Sequence, residues 1–510
     1  MTSRELMNRR NFLHRATGLA GGVALSRTLL DLRLMGNAVA AVDVGDYKAL
    51  VCFFMAGGND NNNLLVPAPG DERYAGYKTV RGSRLALWED QAAATGRADA
   101  GTNPNNYWAL PLNGAGSGGE RYAVHSSMPA VQGLYNQGRL AFVANAGVLV
   151  EPVTKAQYLA RLRKLPPQLF SHNDQVTQWQ TSVPDNISRT GWGGRTADRV
   201  REELARQGLP PGSISMSVSL AGSNTWEVGD TVNQFQVSTA GAVSFQQYTG
   251  ARKVLMDAVL RAPGSGGSAA LAAERKNVHL RDFQKVNERA IFNGAALSTA
   301  LGRLAAGGAD VAMGAVIDGA FGVGGGVTYG SLSGVEQQLH MVARIIAERG
   351  YLGMRRQIFF CQVGGYDTHG DQPVAHAGLL ATLSRAIGRF STAMTGLGVG
   401  DKVTGFTASD FGRTFKTNGL GTDHAWGSHQ MVFGGAVKGG KVYGSYPTLA
   451  LNGPDDYDTG SGATGRWIPT MSADEYAATL ARWFGLGEGE LDAVFPNLGR
   501  FARRDVGFLI

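Results

Sequence analysis

Carboxylate and imidazole side chains follow three apolar runs in this sequence. The runs are Lys48–Met55, Gln357–Val363 and Val403–Thr407. Asp60, Asp367 and Asp410 come shortly after these runs, and His369 stands two positions beyond Asp367. Carboxylate oxygens and imidazole nitrogens that converge on one point are typical ligands of divalent metal ions. The pattern therefore predicts a metal site at the place where the three runs end.

A polar, glycine-rich loop at residues 419–429 adds further ligands. It contains Asp423, His424 and His429. We expect His424, which stands beside an acid, to be a metal ligand. His429 is predicted to assist catalysis close to the metal, and the alternative is that it begins the strand predicted at Gln430–Gly434.

Arg413 follows the third apolar run within the segment Ser409–Thr414. Its planar guanidinium could contact an anionic group of a substrate, so we predict a catalytic role for it. The alternative is an ordinary surface ion pair between Arg413 and Asp410.

Each predicted ligand also has a purely structural interpretation. Asp60 stands among asparagines and could close an Asx turn. Asp367 could close a turn or cap the following helix, with His369 on the surface. His172 and His125 are further candidates, although each alone is more typical of a hydrogen-bonded surface or core histidine.

Strand-like and helix-like segments alternate along the chain. Besides the three runs, strands are predicted at Leu140–Ala144 and Ile214–Leu220, and helices at Met128–Asn136, Thr196–Gln207, Val335–Arg349 and His376–Met394. This alternation indicates βαβ units and a mainly parallel sheet. Parallel strands end at one edge, so the ligands that follow them would gather there. The glycine-dense segment 307–334 is predicted to be a long loop or lid.

The composition is typical of a globular α/β protein with long loops. The 510 residues are 43% hydrophobic and 17% charged, a balance that argues against a disordered chain and a multi-span membrane protein. The 72 glycines predict many tight turns. We expect a single α/β domain at residues 41–510, with insertions at about 89–119 and 223–334.

Charge and cysteine content exclude several functions. The net charge of +7 falls to +3 without residues 1–40, which carry six arginines and two acids. Basic residues do not cluster with aromatic ones, so nucleic-acid binding is not expected. Cys52 and Cys361 lie in apolar runs and are predicted to be buried free thiols, with a disulfide as the alternative. Without a CxxC pair, thiolate zinc sites and dithiol redox chemistry are excluded.

Residues 1–40 resemble a twin-arginine export signal. Arg9 and Arg10 precede an apolar stretch, and the segment Ala38-Val39-Ala40 supplies a small-residue cleavage site. The apolar stretch is too short and too glycine-rich for a stable transmembrane anchor. We expect the twin-arginine machinery to deliver the protein to the periplasm or the extracellular space. An ordinary amphipathic helix at residues 16–36 is the alternative.

Five segments together resemble a family of bacterial exported proteins, domain of unknown function 1501. They are the Arg9-Arg10 leader, Phe54–Asp60, Gly365–His369, Ser409–Thr414 and Asp423-His424. The resemblance spans nearly the whole chain, in the same order. The family is similar to the alkaline phosphatase and sulfatase superfamily. This implies a central, mostly parallel sheet with helices on both faces and glycine-rich loop insertions.

The resemblance also implies a site with two divalent metals beside a Ser, Thr or modified Cys nucleophile. The residues that resemble metal ligands of the superfamily are Asp60, Asp367, His369, Asp410 and His424. Phe411 is a departure, because the superfamily commonly has histidine there. One metal, or a differently built pair, is therefore an alternative to the full set.

The expected function is hydrolysis of a phosphate or sulfate ester of a small molecule or glycan. The expected cofactor is a divalent metal, Zn, Ca, Mg or Mn, which would polarise an ester oxygen. Arg413 would neutralise charge on the substrate. The alternative is an envelope binding or assembly protein that keeps the fold without turnover. Phe411 and the lack of an identified nucleophile favour that alternative.

Overall fold

The computed structural model describes residues 44–114, 119–243, 249–254 and 278–510. The expected leader at residues 1–40 lies outside the described residues, as do parts of both expected insertions. The described chain has a mixed α/β fold built around one large sheet.

Ten strands of the described chain form this large sheet, and three others form a small one. In chain order the strands are β1 Lys48–Met55, β2 Leu65–Pro67, β3 Ala109–Pro111, β4 Tyr122–His125, β5 Leu140–Gly147, β6 Ser217–Ser219, β7 Phe235–Ser238, β8 Gly241–Ala242, β9 Arg356–Val363, β10 Val403–Ser409, β11 Ser428–Phe433, β12 Val442–Tyr443 and β13 Met471–Ser472. The order in the large sheet is β12-β5-β11-β10-β1-β9-β6-β7-β8, and β13 also pairs with β5. Within the described sheet only β8 and β11 oppose the common direction. The prediction of a mainly parallel sheet is confirmed.

β1 lies near the centre of this sheet, between β9 and β10. Its last residue, Met55, pairs with Val363 of β9 and with Ser409 of β10, both in parallel register. Seven of its eight residues are buried. A central parallel strand is covered on both faces, so its sequence is a continuous apolar run. The three strands end level with one another, so the loops after them start from one edge.

β11 begins earlier than the sequence predicted. It starts at Ser428, includes His429 and runs antiparallel to β10 and β5. His429 therefore belongs to a buried strand and not to the loop before it, which is the alternative left open by its position in the sequence.

Helices pack against the sheet. In chain order the main ones are α1 Tyr74–Leu85, α2 Gln91–Thr95, α3 Pro129–Asn136, α4 Lys155–Leu159, α5 His172–Thr181, α6 Trp192–Arg206, α7 Val278–Arg303, α8 Val311–Phe321, α9 Gly334–Ala347, α10 Gln372–Gly396, α11 Ala473–Phe484 and α12 Leu491–Val494. Trp192 of α6 and Tyr476 of α11 both pack on Phe406 of β10. A second group, α3, α8, α9 and α10, packs together and contacts β5 and β9. Across the described residues, no helix combines the length and the apolar character needed to cross a bilayer.

Helix α8 replaces part of the loop predicted at residues 307–334. Ile317 and Phe321 of this helix are fully buried. Gly314 lies so close to the turn after α7 that a Cβ on it would be 2.2 Å from the carbonyl oxygen of Leu304. This glycine permits the close approach of α8 to that turn, so here a high glycine content does not indicate a loop.

Cys52 in β1 and Cys361 in β9 are buried free thiols, as predicted. Burial raises the pKa of both thiols well above its usual range. In the pairing of these strands, Cys52 stands beside Phe360 and Cys361 stands beside Phe53.

Glu227 makes the stability of the fold depend on pH. Its fully buried carboxyl group accepts hydrogen bonds from Asn224 and Gln234, each at 2.8 Å. Burial raises the pKa of this carboxyl to about 8, whereas the pKa in the unfolded chain is about 4.3. The folded state therefore binds more protons between these pH values, and stability falls as the pH rises through this window.

We expect the substitution Glu227→Gln to remove this loss. The variant should gain more stability over wild type at pH 8 than at pH 5, by on the order of 3 kcal/mol. Urea denaturation at the two pH values measures the difference. If the substitution changed the stability equally at both pH values, the prediction of a neutral buried Glu227 carboxyl would be contradicted.

Candidate metal centre

Four side chains converge beyond the ends of β1, β9 and β10, and we name them the Asp367 cluster. They are His172, Asp367, His369 and His424. Asp367 and His369 lie in the loop after β9, and His424 precedes β11. His172 is the first residue of helix α5. The cluster therefore joins two loops and one helix start.

Backbone pairing fixes the loop that carries His424. The Thr414 amide donates to the Asp423 carbonyl at 2.9 Å, and the Ala425 amide donates to the Gly412 carbonyl at 2.8 Å. The segment after β10 and the segment before β11 thus pair like a short antiparallel ribbon. Such pairing holds the His424 side chain at the carboxyl edge of the sheet.

Carboxylates orient two of the three imidazoles. Nδ1 of His172 lies 2.7 Å from Oδ2 of Asp410. Nδ1 of His369 lies 3.0 Å from Oδ1 of Asp423. An ionised carboxylate only accepts hydrogen bonds, so both Nδ1 atoms must carry a proton. The other ring nitrogen, Nε2, then presents a lone pair in the neutral imidazole.

A backbone carbonyl orients the third imidazole in the same way. Nδ1 of His424 donates to the Phe170 carbonyl at 2.9 Å. Phe170 has φ of +72°, in the left-handed region that is unusual for a bulky residue. Arg466 holds this arrangement, because it donates to the His424 carbonyl at 2.9 Å and its guanidinium lies 5.3 Å from the Phe170 ring centre.

The three Nε2 atoms face one carboxylate. They lie 3.7 Å from Asp367 Oδ2 for His172, and 3.1 and 3.2 Å from Asp367 Oδ1 for His369 and His424. The Nε2 atoms of His369 and His424 are 3.0 Å apart. Two nitrogen lone pairs at this distance repel each other unless a proton or a cation lies between them.

These distances fit a metal ion. One ligand atom each from His172, Asp367 and His424 lie within 4.8 Å of one another. Tetrahedral ligands at zinc bond lengths are separated by about 3.3 Å, which is close to the contacts of the cluster. Hydrogen bonding of the outer ring nitrogen to a carboxylate or carbonyl is also typical of histidine ligands. His172, Asp367 and His424 therefore fit a divalent ion, and His369 lies beside them against Asp367 and His424.

Asp367 carries the negative charge of the cluster. Burial alone would raise its pKa, but the hydrogen bond and the charge of Arg413 lower the pKa below its usual value. Burial also lowers the pKa of His424, which favours the neutral imidazole that a metal requires. Both groups are therefore in the ionisation state of a metal ligand near neutral pH.

Phe411 forms an apolar floor under two of the imidazoles. Its ring centre lies 4.8 Å from that of His172 and 4.6 Å from that of His424. The side chain is fully buried. At this position, the departure from the resembled superfamily noted above, the chain therefore has a packing residue that restricts the tilt of its neighbours.

Asp410 and Arg413 lie beside the Asp367 cluster, and their contacts differ from those expected from the sequence. Asp410 accepts a hydrogen bond from the Gly57 amide at 3.0 Å and orients His172, so it supports a ligand. Arg413 pairs with Asp367 instead of Asp410. The Arg413 side chain has no exposed surface, and its donors contact protein oxygens. The burial of Arg413 gives no support to the expected contact with a substrate.

Asp60 lies outside the cluster. Its carboxylate forms a fully buried ion pair with Arg81 and accepts a hydrogen bond from Gln372. Its Oδ1 also accepts a hydrogen bond from the Asn62 amide at 3.1 Å, which is the Asx turn considered above. The structure does not bring Asp60 to the other predicted ligands, because its carboxylate is held by Arg81, Gln372 and the Asn62 amide.

His429 and His125 also lie apart from the cluster. His429 accepts a hydrogen bond from the Asn145 amide at 3.0 Å and stacks on Tyr446. Burial lowers its pKa to about 3, so the imidazole is uncharged at neutral pH, and the expected catalytic role has no support. His125 accepts a hydrogen bond from the Ser127 amide at 3.1 Å and is a core histidine.

A family model described as a protein of unknown function (DUF1501) matches residues 47–456 of the chain. The chain belongs to this family. The match includes every member of the Asp367 cluster. No curated protein matches the chain.

One solved structure has a weak similarity to this DUF1501 protein. It is a crystal structure of Ps i-CgsB in complex with k-i-k-neocarrahexaose. The TM-score is 0.31 and the identity is 10%, over 89% of this chain and 77% of that chain. A similarity this low does not assign the fold.

His172 is the member of the cluster that was only a further candidate in the sequence and not one of the five expected ligands. It follows no strand, and the helix that it begins reaches the site through a turn with left-handed backbone at Gln168 and Phe170. Its position in a short polar segment, Ser171–Asp174, was the only signal in the sequence.

We expect the substitution Asp410→Asn to weaken Zn²⁺ binding by about 10–100-fold, because it removes the charge that orients His172. His172→Ala should weaken binding further, since it removes a ligand. Competition with a chromophoric chelator measures both affinities. His279→Ala is the matched control, because His279 is exposed and outside the cluster. Wild-type affinity in His172→Ala would contradict its role as a ligand.

Proposed function

We propose that this protein is a metal-dependent hydrolase that cleaves a phosphate or sulfate ester of a small molecule or glycan. The observation that carries the proposal is the convergence of three outward-oriented imidazole Nε2 atoms on the Asp367 carboxylate. When bound, a divalent ion supplies Lewis-acid polarisation of an ester oxygen and lowers the pKa of a water molecule.

The cluster is open to solvent on one side. The side chains of Asp367 and His369 are 46% and 45% exposed, whereas that of His424 is 25% exposed. A substrate could therefore approach past Asp367 and His369. Asp410 and Phe411 lie on the buried side and hold the imidazole rings in place.

We propose that a water molecule is the attacking nucleophile. In the described part of the chain, the side chains that hydrogen-bond to the three imidazoles or pack their rings against them are carboxylates, another imidazole and the Phe411 ring. None of these is a hydroxyl or a thiol. Cys52 and Cys361 are buried in the core of the sheet. A mechanism with a covalent Ser, Thr or Cys intermediate therefore has no support from the contacts of the cluster.

The ligand types favour particular ions. Imidazole nitrogen suits zinc and other transition metals, whereas calcium and magnesium prefer sets composed only of oxygen. Among the metals expected from the sequence, we therefore propose zinc or manganese.

A binding or assembly function without turnover is the second candidate. Phe411 favours it, because an apolar ring occupies the position where the resembled superfamily commonly has a histidine. A centre with fewer ligands could hold a metal for structure alone.

We also propose that the protein is exported by the twin-arginine machinery to the periplasm or the extracellular space. Folding before export would allow the centre to be loaded inside the cell. Replacing Arg9 and Arg10 together by lysine should retain the precursor in the cytoplasm, as measured by cell fractionation. Unchanged export of this variant would argue against the signal.

We expect the zinc- or manganese-loaded protein to hydrolyse at least one member of a panel of aryl phosphate monoesters, phosphate diesters and sulfate esters. Asp367→Asn should lower the rate by more than about 100-fold, because it removes a charged ligand while keeping an oxygen for Arg413. The release of the aryl alcohol is measured, with His279→Ala as the control.

The two candidate functions give different results in this assay. A stoichiometric ion with no turnover across the panel would support the binding function. Turnover that Asp367→Asn leaves unchanged would mean that another site is responsible.

A further inference from the structure

The guanidinium of Arg413 fills a pocket made of oxygen atoms. Nε donates to the Gly58 carbonyl at 2.8 Å, Nη1 to the Thr422 carbonyl at 2.5 Å, and Nη2 to the Gly57 carbonyl at 3.0 Å. Nη2 also donates to Oδ1 of Asp367. Three backbone carbonyls and one carboxylate therefore surround this charge, and solvent does not reach it.

Two glycines shape the pocket. Gly57 and Gly58 have φ of +114° and +76°, in the left-handed region that glycine adopts readily. A Cβ on Gly57 would lie 2.5 Å from the backbone nitrogen of Asp367, and one on Gly58 would lie 2.4 Å from the Phe411 ring. The loop after β1 therefore presses directly on the loops after β9 and β10, with both glycine carbonyls facing the guanidinium.

The lining of the pocket resembles a site for a hard cation. Carbonyl and carboxylate oxygens are the ligands that bind calcium and magnesium in proteins. Arg413 brings a permanent positive charge to these oxygens, and its rigid fork fixes the orientation of Asp367. Asp367 is thus shared between a fixed cation on one side and three imidazoles on the other.

The charges around the Asp367 cluster limit how many divalent ions it can hold. The three carboxylates of the centre are those of Asp367, Asp410 and Asp423. Arg413 offsets one of these negative charges, and one divalent ion offsets the other two. A second divalent ion would leave two uncompensated positive charges in a partly buried site, which is unfavourable.

We propose that Arg413 is a built-in second cation, so that the centre binds one divalent ion per chain. This inference rests on the metal-dependent function proposed above and specifies the composition of its site. Arg413 acts as a positioning residue that orients Asp367 and does not contact the substrate.

The first test counts ions bound to the wild-type protein. The full chain is loaded with Mn²⁺, dialysed, and examined by elemental analysis and by electron paramagnetic resonance of bound Mn²⁺. We expect one ion per chain. Two ions per chain would overturn this inference and leave the metal centre intact. If the protein binds no ion, the proposed metal centre is contradicted, and this inference is contradicted with it.

The second test empties the pocket with the substitution Arg413→Gly. We expect the number of bound Mn²⁺ ions to rise from one to two, and millimolar guanidinium to return it to one by occupying the pocket. Arg413→Lys is the matched control, because it keeps a positive charge, and it should hold one ion.

Two results of the second test would contradict the inference. One is a folded Arg413→Gly variant that binds a single ion and does not respond to guanidinium. The other is an Arg413→Lys variant that binds two ions. If Arg413→Gly does not fold, the ion counts of wild type and Arg413→Lys decide the matter.

Discussion

The parallel register of β1, β9 and β10 is the constraint on which the rest of the structure depends. Because the three strands end level, the loops after them meet over short distances. These loops provide the carbonyls of Gly57 and Gly58, the carboxylate of Asp367, and the carboxylate of Asp410. A slip of one residue in any pair would turn a strand over and displace its loop. The burial of these strands on both faces therefore fixes polar groups that lie beyond the apolar core.

The parts that could be predicted from the sequence are those governed by local pattern. The three apolar runs became neighbouring strands, because continuous apolar segments of this length are buried in parallel sheets. Asp367, His369 and His424 meet, since two of them follow a strand end and the third lies in a polar loop beside one. The segment of α8 was wrongly predicted to be a loop, because Gly314 lies inside a helix, where it permits close approach to the turn at Leu304.

The parts that could not be predicted depend on contacts between distant residues. Asp60 has the same local setting as Asp367, but Arg81 stands close enough to pair with it. Nothing in the spacing of the acids shows which of several arginines each will meet. His172 reaches the site only because the backbone at Phe170 adopts a left-handed conformation that a bulky residue rarely takes. A strained turn of this kind is set by the whole fold.

The two cysteines of the chain have a consequence for its handling. Cys52 stands beside Phe360 in the pairing of β1 and β9, so these two side chains project to the same face of the sheet. Side chains alternate along a strand, and Cys361 therefore projects to the opposite face. A covalent bridge between the thiols would have to pass through the sheet, which disulfide geometry forbids. The protein thus needs no oxidant to mature, and reducing agents will leave its architecture intact.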